Sequence, residues 1–259
     1  MIRTTVNGKT IDLSSLIKVT GMKLRVSDLK MLVGMLSEAA VEPAKIKSQG
    51  LAMHRHRDGD LSVYVLYNPA VAYDIFTSGK KTKDGDPEIP QNVVTSGQFI
   101  VGVIATANPD HPSNGAKEIK MTAAVKGYGP YMYDVVMGME GGLIPDRNSV
   151  SDKAKKVWTK YQNRQDVKHK ELDDVEHPKT PQKSDDSKVF PGAEKNPLNY
   201  SYTISRTPEA GELMARHEDL IDAVEKNSSF DRHKIDLSIV FAANDYFLKR
   251  YKDNFGGSF

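Results

Sequence analysis

Lys126-Gly127-Tyr128-Gly129-Pro130-Tyr131 is the segment whose residue types and spacing best suit chemistry. A β-prone run over residues 119–125 ends in it, and an apolar helical run follows at once. A strand that breaks on glycines into a helix start leaves backbone N–H groups without partners, at the positive end of the helix dipole. Such a corner is a ready site for phosphate or pyrophosphate, and Lys126 adds a cation beside it. Pro130 suits a first helical position, where its missing N–H was an orphan anyway, but it withdraws one donor from an anion.

Histidines offer a second kind of chemistry. In His54-Arg55-His56-Arg57, strand alternation puts His54 and His56 on one face, residue types that suit a metal or a phosphate. No third ligand is evident, so the reading is a solvated hairpin edge. His169 and His177 stand amid Glu171, Asp173 and Asp174, and read as a polar surface loop. Asp146-Arg147 reads as a local ion pair, and Asp134 as a carboxylate in a first helical turn, stabilised by the dipole. No Ser-His-Asp arrangement, Walker loop or HExxH helix is found.

The elements that must position these residues follow from periodicity. Residues 27–40 read as a capped amphipathic helix. Residues 51–57 and 60–67 read as a hairpin turning at Asp58-Gly59. Leu61, Val63, Val65 and Tyr67 share one of its faces and Ser62, Tyr64 and Leu66 the other. A polar loop spans 78–90, strands span 96–107 and 119–125, and a helix spans 131–139. Leu143-Ile144 makes a short strand. A helix capped by Ser149 or Ser151 runs to 164 and buries Ala154, Val157, Trp158 and Tyr161. A strand over 198–204 and helices over 208–224 and 236–251 complete the chain. The result is an α/β (α+β) fold, a central mixed, mostly antiparallel sheet flanked by helices. Residues 1–164 and 198–259 form a single domain, and 165–197 a polar surface excursion.

Composition narrows the function classes. The 259 residues suffice for a sizeable core, and hydrophobic content of 39% is globular. Charges nearly cancel at +2, without the clustered basic excess of a nucleic-acid binder. No apolar run approaches bilayer length, and MIRTTVNGKTIDL lacks the order of a signal peptide. With no cysteine, disulfides, thiolate zinc sites and cysteine nucleophiles are excluded.

From the corner onward the chain resembles the GNAT-type acyltransferases, which move an acyl group from coenzyme A to an amine. That family has a strand, a glycine loop and a helix, then a short strand and a second helix carrying Asn, Ala and Tyr. Here Lys126 to Tyr131 hold the loop place, Leu143-Ile144 the short strand, and Ser151, Ala154 and Trp158 the helix positions. The phrases GYGPYMYDVVM and GGLIPDRNSVS are also similar to a group of tailed-phage proteins with an acyltransferase-like fold. The resemblance covers residues 98–174. It implies an acyl-CoA N-acyltransferase-like fold, acetyl-CoA or another acyl-CoA as cosubstrate, and a pyrophosphate held by Lys126, Gly127, Tyr128, Gly129 and Tyr131. Backbone groups of Met121 to Ala123 would bond the pantetheine arm. Trp158 replaces the family's usual tyrosine acid, and Tyr161, almost one turn later, is the substitute general acid, against the plainer reading of a core aromatic. Tyr128 and Tyr133 either line an acceptor pocket or pack. The expected activity is transfer of an acyl group to an unknown amine. The alternative is a non-catalytic descendant: a virion structural component or a protein that binds a host protein, located in the host cytoplasm or the virion. No metal site is expected.

Overall fold

The computed structural model describes residues 3–6, 9–12, 49–110, 113–146, 150, 152–172, 196–205 and 209–255. The helix read over 27–40, Ser149, Ser151, Arg147, Asp173, Asp174 and His177 lie outside them. β1 (Arg3–Val6) and β2 (Lys9–Asp12) form a separate antiparallel pair. The main sheet comprises β3 (Ala52–Asp58), β4 (Leu61–Tyr67), β5 (Ile100–Ala107), β6 (Lys117–Ala124), β7 (Leu143–Ile144), β8 (Val167–Glu171) and β9 (Tyr200–Ile204). Their spatial order is β3-β4-β5-β6-β7-β9-β8. Every pairing is antiparallel except β6 with β7.

The β3–β4 hairpin turns where the Asp-Gly signal placed it, with Gly59 at φ +57° in the left-handed region that favours glycine. Both faces of β4 are buried, because helices cover both faces of the sheet. On one face Val63, Val65 and Tyr67 join a core with α1 (Pro69–Thr77), α2 (Gln91–Ser96), α5 (Glu209–Asn227) and α6 (Arg232–Phe255). On the other face Tyr64 and Leu66 join a core with α3 (Gly129–Glu140) and α4 (Asp152–Gln162). One helix belongs to both cores: α5 places Leu213 in the second and Leu220, Ile221 and Val224 in the first. It also fastens the start of β3, with Arg216 donating to the Leu51 carbonyl at 3.0 Å.

α1 and α2 are not among the expected elements, although α1 opens on Asn68, whose side chain accepts from the Ala70 and Val71 N–H groups, with Pro69 next. The polar stretch expected to leave the domain at residue 165 instead begins by rejoining the sheet. β8 reads Val-Lys-His-Lys-Glu, and only Val167 is buried. An edge strand pairs on one side only, so charge is tolerated there and even useful. Its register with β9 runs from Val167 opposite Ile204 to Glu171 opposite Tyr200.

Two glycines set how closely α3 and β7 approach the sheet. A Cβ on Gly102 of β5 would lie 2.2 Å from the Met132 sulfur, so α3 sits flush on the strand only because that position has no side chain. Gly142, at φ +152°, would put a Cβ 3.1 Å from the Tyr202 carbonyl, which lets β7 slot between β6 and β9.

Candidate functional site

β6 meets β7 over two residues only, Lys117 with Leu143 and Glu118 with Ile144. From 119 to 124, β6 keeps β5 on one side and has no strand on the other among the described residues. A bulge lies at the point of parting: Met121 pairs with Ala105 and Ile119 with Thr106, leaving Lys120 as the extra residue. A bulge bends its strand and switches the faces its side chains meet. Ile119 accordingly packs with α3, whereas Met121 and Ala123 face the opposite core. The parallel pairing therefore stops at Glu118 and Ile144, with Pro145 following, and the free edge of β6 leads to the glycine corner.

At the corner Gly127 adopts φ +94°. Lys126 is exposed, Tyr128 and Pro130 are half-buried, and Gly127, Gly129 and Tyr131 are buried. The Tyr128 N–H donates to the Val125 carbonyl at 3.1 Å, and the first helical bond is Met132 N–H to Tyr128 at 3.0 Å. The N–H groups of Lys126, Gly127, Gly129 and Tyr131 make no backbone bond among the described residues. Buried N–H groups without acceptors are costly, so donors of this kind at a helix start favour an anion. The Tyr128 hydroxyl donates to the Gln49 side chain. Burial pushes the Tyr131 phenol up to about 12, with Glu209 adding to the shift.

Tyr161 stands close behind this corner but inside the core, 2% exposed. Its ring stacks on Tyr133 with centroids 6.1 Å apart. Its hydroxyl lies 2.6 Å from Asp134 Oδ1 and 3.1 Å from the Pro130 carbonyl. Arg164 Nη1 donates to both Asp134 oxygens, at 2.7 and 3.0 Å. Burial, then the Asp134 charge, drives the Tyr161 phenol well above its ordinary value, so its proton is held rather than offered. Asp134 is not in a first helical turn: α3 begins at Gly129, and burial pushes its carboxyl up while Arg164 and Tyr161, rather than the dipole, partly offset that. Trp158 is fully buried, stacked on Tyr202 at 5.0 Å and edge-on to Tyr133 at 5.6 Å. Tyr133 is fully buried too, its hydroxyl receiving the Thr122 hydroxyl at 3.4 Å, so it packs rather than lining an open pocket.

The reading of His54 as part of a solvated hairpin edge is overturned. His54 is 6% exposed and faces two residues from the C-terminal helices, His217 of α5 and Asp236 of α6. The third ligand type that the hairpin lacks locally arrives from elsewhere in the fold. Burial and the neighbouring His217 hold the His54 imidazole down to about 4, so it is neutral near neutral pH. Burial pushes the Asp236 carboxyl up, but the two histidines and Arg232 outweigh it and leave it below the ordinary carboxylate value. One signal in the sequence pointed here: Leu213, His217, Leu220, Ile221 and Val224 share a helical stripe, and His217 is its only polar member.

No protein-family model matches the chain, and neither a curated protein nor a solved structure matches it. No described helix is long and apolar enough to cross a membrane.

Proposed function

We propose that the chain binds an acyl-coenzyme A in the notch between β6 and β7, as a GNAT-like protein, and transfers the acyl group to an amine. The observation that carries this reading is the free edge of β6 beyond its two-residue pairing with β7, which ends in the N–H groups of Gly127, Gly129 and Tyr131 that make no backbone bond. An extended pantetheine arm would add to that edge as a strand does, and the pyrophosphate would sit at the start of α3 beside Lys126. In the transfer the amine nitrogen attacks the thioester carbonyl, the C–S bond breaks, and the amine's proton must reach the departing thiolate.

A second reading, a non-catalytic virion or host-protein-binding descendant of the same fold, is favoured by one detail. The Tyr161 hydroxyl is engaged with Asp134 and Pro130 and is not free to protonate a thiolate. Calorimetry with acetyl-CoA and with coenzyme A tests the binding step. Both should bind, and Lys126→Glu and Gly129→Val should weaken both. No heat and no thermal shift up to millimolar ligand overturns the reading. Binding without turnover on a panel of amines selects the non-catalytic form, and mass spectrometry of purified particles tests its packaged version.

A further inference from the structure

The His54–His217–Asp236 cluster lies on the sheet face opposite α3 and plays no part in the acyl-CoA reading. His54 Nδ1 is 3.1 Å from His217 Nε2 and 3.6 Å from Asp236 Oδ1, and His217 Nε2 is 3.2 Å from Asp236 Oδ1. These are the separations of ligand atoms around one small cation. The point equidistant from the three lies about 1.9 Å from each, and a step of about 0.7 Å out of their plane makes every distance about 2.05 Å, the bond length of zinc to nitrogen or oxygen.

Protons satisfy the cluster poorly. A single N–H on His217 Nε2 can serve His54 or Asp236 but not both, and Asp236 Oδ1 is buried without a hydrogen bond. Arg232 on α6 favours the Asp236 charge through space, but its hydrogen bond goes to Glu218 at 2.7 Å. The supporting contact of a metal-bound imidazole is present: His217 Nδ1 lies 2.8 Å from the buried Tyr67 hydroxyl, which fixes the ring and leaves Nε2 facing the cluster. The Asp236 side chain as a whole is 21% exposed, so the cluster lies near the surface, although its Oδ1 is buried with the two imidazoles.

We propose that His54, His217 and Asp236 bind one divalent transition-metal ion of the zinc type, clamping α5 and α6 to strand β3. Two imidazole nitrogens and a carboxylate oxygen form a donor set that suits Zn(II) and its spectroscopic stand-in Co(II), and disfavours Mg(II) and Ca(II), which prefer oxygen throughout.

The test uses the whole chain, stripped with a chelator, dialysed and titrated with Co(II) and then Zn(II). One ion per chain is expected, with visible Co(II) bands of a low-coordinate site that Zn(II) bleaches. Asp236→Asn and His217→Ala should each weaken binding by more than about 100-fold, and Tyr67→Phe by about 10- to 100-fold. The exposed His169→Ala and His233→Ala should change nothing. Wild-type protein that gives no Co(II) band and no stoichiometric Zn(II) uptake overturns the proposal, as does binding that survives Asp236→Asn and Tyr67→Phe. If His217→Ala fails to fold, the wild-type titration and those two milder variants still decide.

Discussion

The glycine corner and the histidine–aspartate cluster occupy opposite faces of one sheet and are built in opposite ways. The corner is a continuous run from Lys126 to Tyr131, so its chemistry is written in neighbouring letters and depends on backbone conformation. The cluster joins a hairpin strand to two helices from the far end of the chain, with His54 and His217 separated by 163 positions. Its chemistry lives in side chains that only the completed fold brings together. A local site is legible before folding and needs only support. A dispersed site is illegible before folding, and whatever binds it also holds the fold.

Trp158→Ala is the largest test of that contrast. It empties the aromatic wall behind α3 and should cost about 3–5 kcal/mol in denaturant unfolding. Coenzyme A binding should weaken with it, while the Co(II) spectrum of the folded fraction stays as in wild type. Loss of both sites together would break the picture of two independent faces. Next in size is metal removal. At zinc a hundredfold above its dissociation constant, depletion should lower stability by about 2.7 kcal/mol, at roughly 2–4 °C of melting temperature per kcal/mol, and leave the coenzyme A titration unchanged. Tyr161→Phe should cost about 1–2 kcal/mol in stability by removing the hydroxyl from Asp134 and Pro130. A fall in acyl transfer far beyond that loss of folded protein would return Tyr161 to a catalytic role. Asp166→Asn should have the smallest effect. Hydrogen bonds from Arg164 hold the Asp166 carboxyl below its ordinary range, so its contribution is present above about pH 4 and lost as pH falls through the folded value. The pair is exposed, so a loss of about 0.5 kcal/mol or less is expected at neutral pH, shrinking to nothing on the acid limb, where the stability profiles of wild type and variant converge.

Most of the sheet follows from local patterning. The hairpin, the strands on either side of residue 110, the short strand at Leu143-Ile144 and the last two helices lie where periodicity and turn chemistry put them. The misses share a cause. β8 carries Lys168, His169, Lys170 and Glu171, and reads as loop because an edge strand needs no apolar alternation. α1 is short and nearly all apolar, so it offers no polar face to mark a helical period. His54 reads as exposed because the sequence around it contains its own side of the contact and nothing of α5 or α6. What the letters did carry was a polar residue on an apolar stripe at His217, a local contradiction that only a distant partner resolves.

α5 connects the two faces. Leu213 is anchored in one core and Leu220, Ile221 and Val224 in the other, with His217 between them. Close packing around both ends makes the helix a stiff rod that transmits strain from one core to the other. An ion on His217 would hold the rod between its two anchorages, and the Glu209–Arg216 end of the rod lies electrostatically within reach of Tyr131 at the corner. If the position of the rod differs between the free and bound corner, the two sites trade free energy reciprocally: coenzyme A tightens or loosens the ion by the same factor as the ion does coenzyme A. The unchanged titration expected after metal removal sets that factor at one, and any departure from it measures how stiff the rod is.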